Sequence, residues 1–199
     1  TYFDPLPFYY DSLEAQVTDK HKYPLAAVTQ RPMAMYHSWD SQNAWLRQIH
    51  THNYLYVNTL TARQQGIADG DWIWVESQWG KVRCMARHSE AVEPGTVWTW
   101  NAIGKAAGAW NLMPDANESQ KGFLLNHLIS EELPGAGSTR ISNSDPITGQ
   151  AAWYDVRVKI SKAEAGEPEQ TSPQFATMKP YPGMKTRSSI LAFLGVKPK

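Results

Sequence analysis

A mainly β fold, folded into a small closed or half-closed barrel, is what this chain predicts, on three observations. The β-favouring runs are short, there are several of them, and turn signals leave almost no slack between them. Short strands so tightly connected hide their edges most readily by closing on themselves.

The first 22 residues carry Pro5 and Pro7, then an aromatic cluster of Phe3, Phe8, Tyr9 and Tyr10, then a polar segment, and read as an extended arm lying on a surface. Tyr23 to Thr29 is the first strand, with Pro24 marking it as initial or edge. Gln30 to Trp45 follows as a loop dense in hydrogen-bonding groups: His37, Ser38, Asp40, Ser41, Gln42 and Asn43. Such a set presents donors and acceptors to a polar ligand with a rigid ring. As plain structure it is a surface loop in which Ser41 or Asp40 caps a helix from Asn43 to Ile49. That explains one or two of these residues but not all. His50 and His52, two apart, have no third residue at ligand spacing and read as a solvent-side pair.

The scaffold proper starts at Tyr54 to Val57. Asn58 stands where an N-cap belongs, and Gly66 supplies the left-handed residue that ends a two-turn helix, Thr59 to Gln65. Asp69-Gly70-Asp71 is a turn, and Trp72 to Val75 a strand apolar on both faces. After the turn Gln78-Trp79-Gly80 the text alternates, with Val82, Cys84 and Ala86 inward and Lys81, Arg83, Met85 and Arg87 outward. Glu93-Pro94-Gly95 fits a type II turn before the strand Thr96 to Trp100.

Beyond Asn101, the small residues Ala102 to Gly108 include two glycines that let backbone approach a ligand. Phe123 to Leu133 has helix-like spacing, interrupted by Asn126 and His127; Asn126 is either a cap or a ligand contact. Ser142 to Gln150 is turn-rich, and Val156, Val158 and Ile160 alternate with polar residues as a closing strand. From Ser161 the composition shifts to Glu, Pro, Gln, Ser and Lys, a tail with little fold of its own; within it Arg187 to Val196 is an apolar docking segment for a partner. The division is therefore an N-terminal arm (1–22), a barrel (23–162) and a Pro-rich extension (163–199).

The chain has 199 residues, enough for one domain with extensions, and 19 basic residues balance 19 acidic ones. A net charge of zero gives no long-range field to gather nucleic acid, so no nucleic-acid partner is expected. One cysteine excludes an internal disulfide, and its place on the inward face makes Cys84 a buried small hydrophobe. The initial Thr is expected to reflect processing or excision from a longer chain. With nine Trp, each ring reads as core more readily than as groove.

The ordered text carries more. A polar loop after the first strand, then NTLTARQQGIADGDWIWVESQWGKVRCMARHSEAVEPGTVW, then a glycine-bearing loop, NHL, and DPITGQAAWYDVRVKI resemble the C-terminal molybdopterin-dinucleotide-binding domain of the dimethyl sulfoxide reductase family of molybdenum or tungsten oxidoreductases. The resemblance runs from Tyr23 to Lys162. It implies a six-stranded double-psi β-barrel with short helices, whose loops close over a bis(molybdopterin guanine dinucleotide) carrying Mo or W.

By position, the resemblance assigns cofactor contacts to Tyr36, His37, Ser38, Trp39, Ser41, Gln42 and Asn43, to Asn101 and Gly104, to Asn126 and His127, and to Gln150. Ile129 departs from the family's NxL[TV] pattern by removing a hydroxyl. The family's metal ligand and iron–sulfur cysteines lie in other domains, and Cys84 does not match them, so this stretch implies no catalytic or metal-ligating residue of its own. Partners implied are the remaining domains of a catalytic subunit, a membrane anchor and an iron–sulfur subunit. The GKAAGAWNLMPD and LLNHLISEELPG text looks most like enzymes of the family that act on sulfur compounds. Alternatives from other classes are a stand-alone double-psi module gripping a peptide and a carbohydrate-binding module, which needs a row of exposed Trp rings.

Overall fold

The structure, a computed structural model, describes residues 6, 9, 11–37, 43–50, 52–101, 103, 122–135, 140–145, 148–151 and 156–176, with backbone alone at 47 and 140. The expected docking segment at 187–196 and nearly all of the glycine-bearing loop after Asn101 lie outside these residues.

Six strands close a barrel: β1 (Leu25–Gln30), β2 (Tyr54–Val57), β3 (Trp72–Ser77), β4 (Gly80–His88), β5 (Thr96–Trp100) and, further along the chain, β8 (Arg157–Lys162). Around the barrel the order is β2, β5, β1, β8, β3, β4, and a β2–β4 pairing completes the circle. The pairs β1–β5 and β2–β4 are parallel and the other four antiparallel. This is the double-psi barrel that the resemblance implied. A separate hairpin joins β6 (Glu132–Pro134) and β7 (Arg140–Ser142), and a short β9 (Gln174–Phe175) lies against the start of β4.

Strand alternation fills the interior with small and branched side chains: Leu25, Ala27, Leu55, Val57, Ile73, Val75, Val82, Cys84, Ala86, Val97, Val158 and Ile160. Cys84 is inside, as the alternating pattern required, and burial pushes its thiol pKa well up. The described tryptophans are not in the barrel interior. Among the described ones only Trp74 is buried; Trp72, Trp79, Trp98 and Trp100 are half-covered and Trp45 is exposed. Along β2 and β5 the inward places go to Leu55, Val57, Val97 and Thr99, which leaves Tyr54, Tyr56, Trp98 and Trp100 on the outer wall. A six-stranded barrel this tightly filled has no room for an indole, so the rings cover the outside instead.

The α-helices among the described residues are short. α3 (Thr59–Gln64) begins where Asn58 caps it: its Oδ1 accepts from Leu60 N at 2.9 Å, while its Nδ2 donates to Val92 O at 2.7 Å. Gly66 ends it at φ +67°. α2 (Ala44–Ile49) is capped by Asn43 rather than by Ser41 or Asp40. α1 (Leu13–Val17) forms in the arm expected to be extended, because Ser12 caps it and Glu14 is buried against the barrel. The Glu14 carboxylate accepts from Trp79 Nε1 (2.9 Å), Gln78 Nε2 (3.1 Å) and Thr18 Oγ1 (3.1 Å). Glu14 and Thr18 thus seat α1 on the tip of the β3–β4 hairpin.

Two other local expectations change. Gly95 does not take the positive φ that a type II turn demands; instead the Glu93 carboxylate accepts from Gly95 N and Thr96 Oγ1 and braces the turn. Phe123 to Leu133 is not a helix but an extended entry, a single 3₁₀ turn at Leu125–Leu128, and β6. Phe123, Leu125, Leu128 and Leu133 are all buried along that path, so helix-like spacing arises without a helix.

Candidate cofactor-binding rim

Strand directions collect several chain ends at one rim. Gln30 closes β1 opposite Trp100 at the end of β5. β2 runs against β5 and β8 against β1, so both begin at that rim. The β3–β4 hairpin turns there as well, with Ser77 opposite Gly80. The loops leaving β1 and β5 and the segment entering β8 therefore share one end of the barrel.

At that end Asn101 ties two of these loops together. Its backbone N–H donates to Gln30 O (2.8 Å) and its Nδ2 to His37 Nδ1 (3.4 Å). A ring whose Nδ1 accepts carries its proton on Nε2. His37 sits at φ +52°, a left-handed conformation uncommon for a residue with a Cβ. Tyr36 meets the His37 ring edge-on at 5.0 Å, with Arg31 5.3 Å from the Tyr36 ring centre. Asn101 Oδ1 is buried and has no partner among the described residues.

Beneath them Asn53 acts as a brace. Its Nδ2 donates to Trp100 O (2.9 Å) and Phe123 O (3.0 Å), while its Oδ1 accepts from Thr99 Oγ1 (2.9 Å). Phe123 leads into the 3₁₀ turn, which Ser77 Oγ fastens to the hairpin by donating to Leu128 O at 2.7 Å. On that turn Asn126 is exposed with no side-chain partner among the described residues. His127 is half-buried and its Nδ1 is buried without one.

Of the residues expected at the cofactor, Ser38, Trp39, Ser41, Gln42 and Gly104 lie outside the described residues. Tyr36, His37 and Asn101 meet directly. Asn126 and His127 stand on the turn that Ser77 and Asn53 hold to the same rim. Asn43 is occupied as the cap of α2, its Oδ1 accepting from Trp45 N at 3.0 Å. Gln150 is exposed in a loop where its carbonyl accepts from Asp145 N, just ahead of the segment entering β8. Sequence reasoning missed Asn53, Ser77 and the Phe175 ring, which lies 6.0 Å from His127. A polar residue immediately before a strand was the one available signal for Asn53.

His50 and His52 are not a free pair: His50 meets Trp100 at 5.5 Å and His52 stacks on Tyr54 at 5.5 Å. Among the described residues no group of three His, Cys, Asp or Glu is arranged to hold a metal ion. On the outer wall Tyr56 and Trp98 stack at 4.0 Å, with Trp100 edge-on to both. These rings cover one another. Trp98 and Trp100 are half-covered by this packing and do not form the row of exposed Trp rings that a carbohydrate-binding module needs.

Burial lowers the pKa of both His127 and His50 below the usual histidine value. The folded state then binds a proton less readily than the unfolded chain, so their contribution is intact above about pH 6.5 and is lost as pH falls below it. The thermal midpoint is expected to drop between pH 7 and 5.5, and His127→Gln to flatten that drop. An equal slope in the variant would remove His127 from the account.

The family model for the Molydopterin dinucleotide binding domain matches residues 25–141. This chain belongs to that family. It is 69% identical over 188 residues to a sulfite dehydrogenase subunit of Allochromatium vinosum, covering 94% of this chain and 19% of that protein. It is 31% identical over 133 residues to dimethyl sulfoxide reductase DmsA of Escherichia coli, covering 64% of this chain and 15% of the relative. Acetylene hydratase from Pelobacter acetylenicus shares the fold, with a TM-score of 0.59 at 21% identity over 81% of this chain and 22% of that one. The molybdopterin-dinucleotide-binding domain thus spans less than a fifth of the length of these two curated relatives. The resemblance to the dimethyl sulfoxide reductase family holds, and with it a molybdopterin-binding role. No helix among the described residues is long and apolar enough to cross a membrane.

The rim suits such a ligand chemically. A pterin and a guanine base both present N–H donors, and Asn101 Oδ1 is a buried acceptor without a described partner; Asn126 offers both a donor and an acceptor.

Proposed function

We propose that this chain is the cofactor-binding C-terminal domain of a molybdopterin oxidoreductase catalytic subunit. It would hold a bis(molybdopterin guanine dinucleotide) with Mo or W jointly with domains outside this chain, for oxygen-atom or electron transfer on a sulfur compound. The observation that carries the reading is the Asn101 side chain, which bonds His37 through one end and directs an unpaired buried acceptor from the other. The 69% identity to a sulfite dehydrogenase subunit supports the sulfur substrate. A membrane anchor and an iron–sulfur subunit complete the proposed assembly.

When bound, the cofactor supplies the redox chemistry; the residues of this chain supply position. His37, Asn101, Asn126 and Gln150, with Ser38, Ser41 and Gln42, donate and accept hydrogen bonds that orient the pterin and the nucleotide tail. Each is worth about 1 kcal/mol net, roughly fivefold in affinity, so only the set fixes one pose. The test is cofactor content of the full-length gene product: molybdenum, tungsten and acid-released guanine nucleotide per chain. Asn101→Ala, Asn126→Ala and Gln42→Ala are each expected to lower it about fivefold in the exchangeable pool, and pairs of them more. Wild-type protein without guanine nucleotide, or pairs with a full complement, would sink the reading.

A further inference from the structure

Residues 163–176 follow β8 along the outside of the β3–β4 hairpin, and their contacts with the barrel are specific. Ala163 N donates to Trp72 O at 2.9 Å. Glu167 accepts from Trp74 Nε1 at 3.0 Å and pairs with Arg83 at 3.6 Å. Arg83, expected on the solvent side of its strand, is 5% exposed: its guanidinium lies 4.2 Å from the Trp74 ring centre and donates to Pro168 O. Lys81 covers the same ring at 4.3 Å. Further on, β9 pairs with Gly80 and Lys81, and Ala176 N donates to Trp79 O at 2.8 Å. Gly80 is required for this approach, since a Cβ there would stand 2.6 Å from Gln174 O.

The strap reaches the rim at Phe175. Phe175 meets His127 edge-on, at 6.0 Å between ring centres and 87° between planes. Phe175 remains 66% exposed, so it is not there to fill a core.

We propose that residues 163–176 are a positioning strap for the rim: the Arg83–Glu167–Trp74 lock fixes the strap along β4, and Phe175 thereby holds the His127 ring and the orientation of Asn126 beside it. The role assigned to the held turn rests on the cofactor reading above; the holding itself does not. Phe175, Glu167 and Arg83 act through Asn126 and His127 and are positioning residues. The strap takes its order from the barrel and returns that order to one turn of the rim.

The experiment uses the full-length gene product and two readouts, amide hydrogen exchange of the peptide covering residues 122–129 and guanine nucleotide released per chain. Phe175→Ala is expected to raise exchange at Leu125 to Ile129 about fivefold and to lower nucleotide content, with an unchanged thermal midpoint because the ring is largely exposed. Phe175→Tyr restores both. Glu167→Gln, which frees the strap without emptying the Arg83 site, has the same effect on exchange and also raises it across residues 163–176. Unchanged exchange at the turn in both Phe175→Ala and Glu167→Gln overturns the proposal, whatever the nucleotide content. Raised exchange in protein that never carried guanine nucleotide supports the hold of the strap and overturns only the cofactor reading.

Discussion

Asn53→Ala is expected to destabilise the domain by about 3 kcal/mol, since it strands two buried polar partners and one half-buried carbonyl at once, and each buried one costs about 1–3 kcal/mol when unmet. The side chain is 3% exposed and holds Trp100 O, Phe123 O and the fully buried Thr99 hydroxyl. Thr99 Oγ1 has a fallback in Trp100 O at 3.5 Å, which trims the loss; Phe123 O has none among the described residues. Asn53→Asp is expected to be worse, because the carboxylate keeps the acceptor, loses both donations and buries a charge. Urea unfolding measures both changes. A loss under about 1 kcal/mol for the alanine variant would mean that water reaches these carbonyls and that the brace is not needed.

Why Asn53 escaped the sequence while Asn58 did not is a matter of range. Asn58 bonds Leu60, two residues away, and the pattern Asn, two-turn helix, Gly is complete within nine residues. Asn53 bonds two carbonyls and a hydroxyl 46 to 70 residues away, and nothing local specifies that. The barrel strands were legible for the same reason as α3: β2 and β5 appear with their expected bounds, since their instructions lie in their own alternation and flanking turns. Arg83 shows the opposite case. Its position in an alternating strand reads as solvent-facing, but Glu167 and Pro168, 84 and 85 residues later, close over it together with the Trp74 ring.

The site divides in the same way. The Gln30 to Trp45 loop suggests a ligand-facing segment in the sequence, because so many hydrogen-bonding groups in one stretch exceed what a cap needs, whereas Asn101 is assigned to the cofactor only by the family resemblance. Within that loop, Asn43 has a local use after all, as the cap of α2. The hold on the 3₁₀ turn was not readable, because Ser77 reaches Leu128 O and Phe175 reaches the His127 ring from distant strands.

Phe123→Ala is the second large effect, at about 4 kcal/mol, the range for removing a buried aromatic ring that neighbours cannot fill. Phe123 is 2% exposed, belongs to the central hydrophobic cluster, and enters the barrel next to the Asn53 brace. Its backbone carbonyl survives the substitution, so the variant removes ring volume while leaving the hydrogen bond. That separates it from Asn53→Ala, which removes the bonds and leaves the ring. If both hold the same 3₁₀ turn in place, the double variant loses less than the sum, because a turn already released cannot be released again. Phe123→Leu retains most of the volume and is expected to cost about 1–1.5 kcal/mol. Additive losses in the double variant would show that the ring supports the barrel interior and Asn53 the rim, as two independent devices.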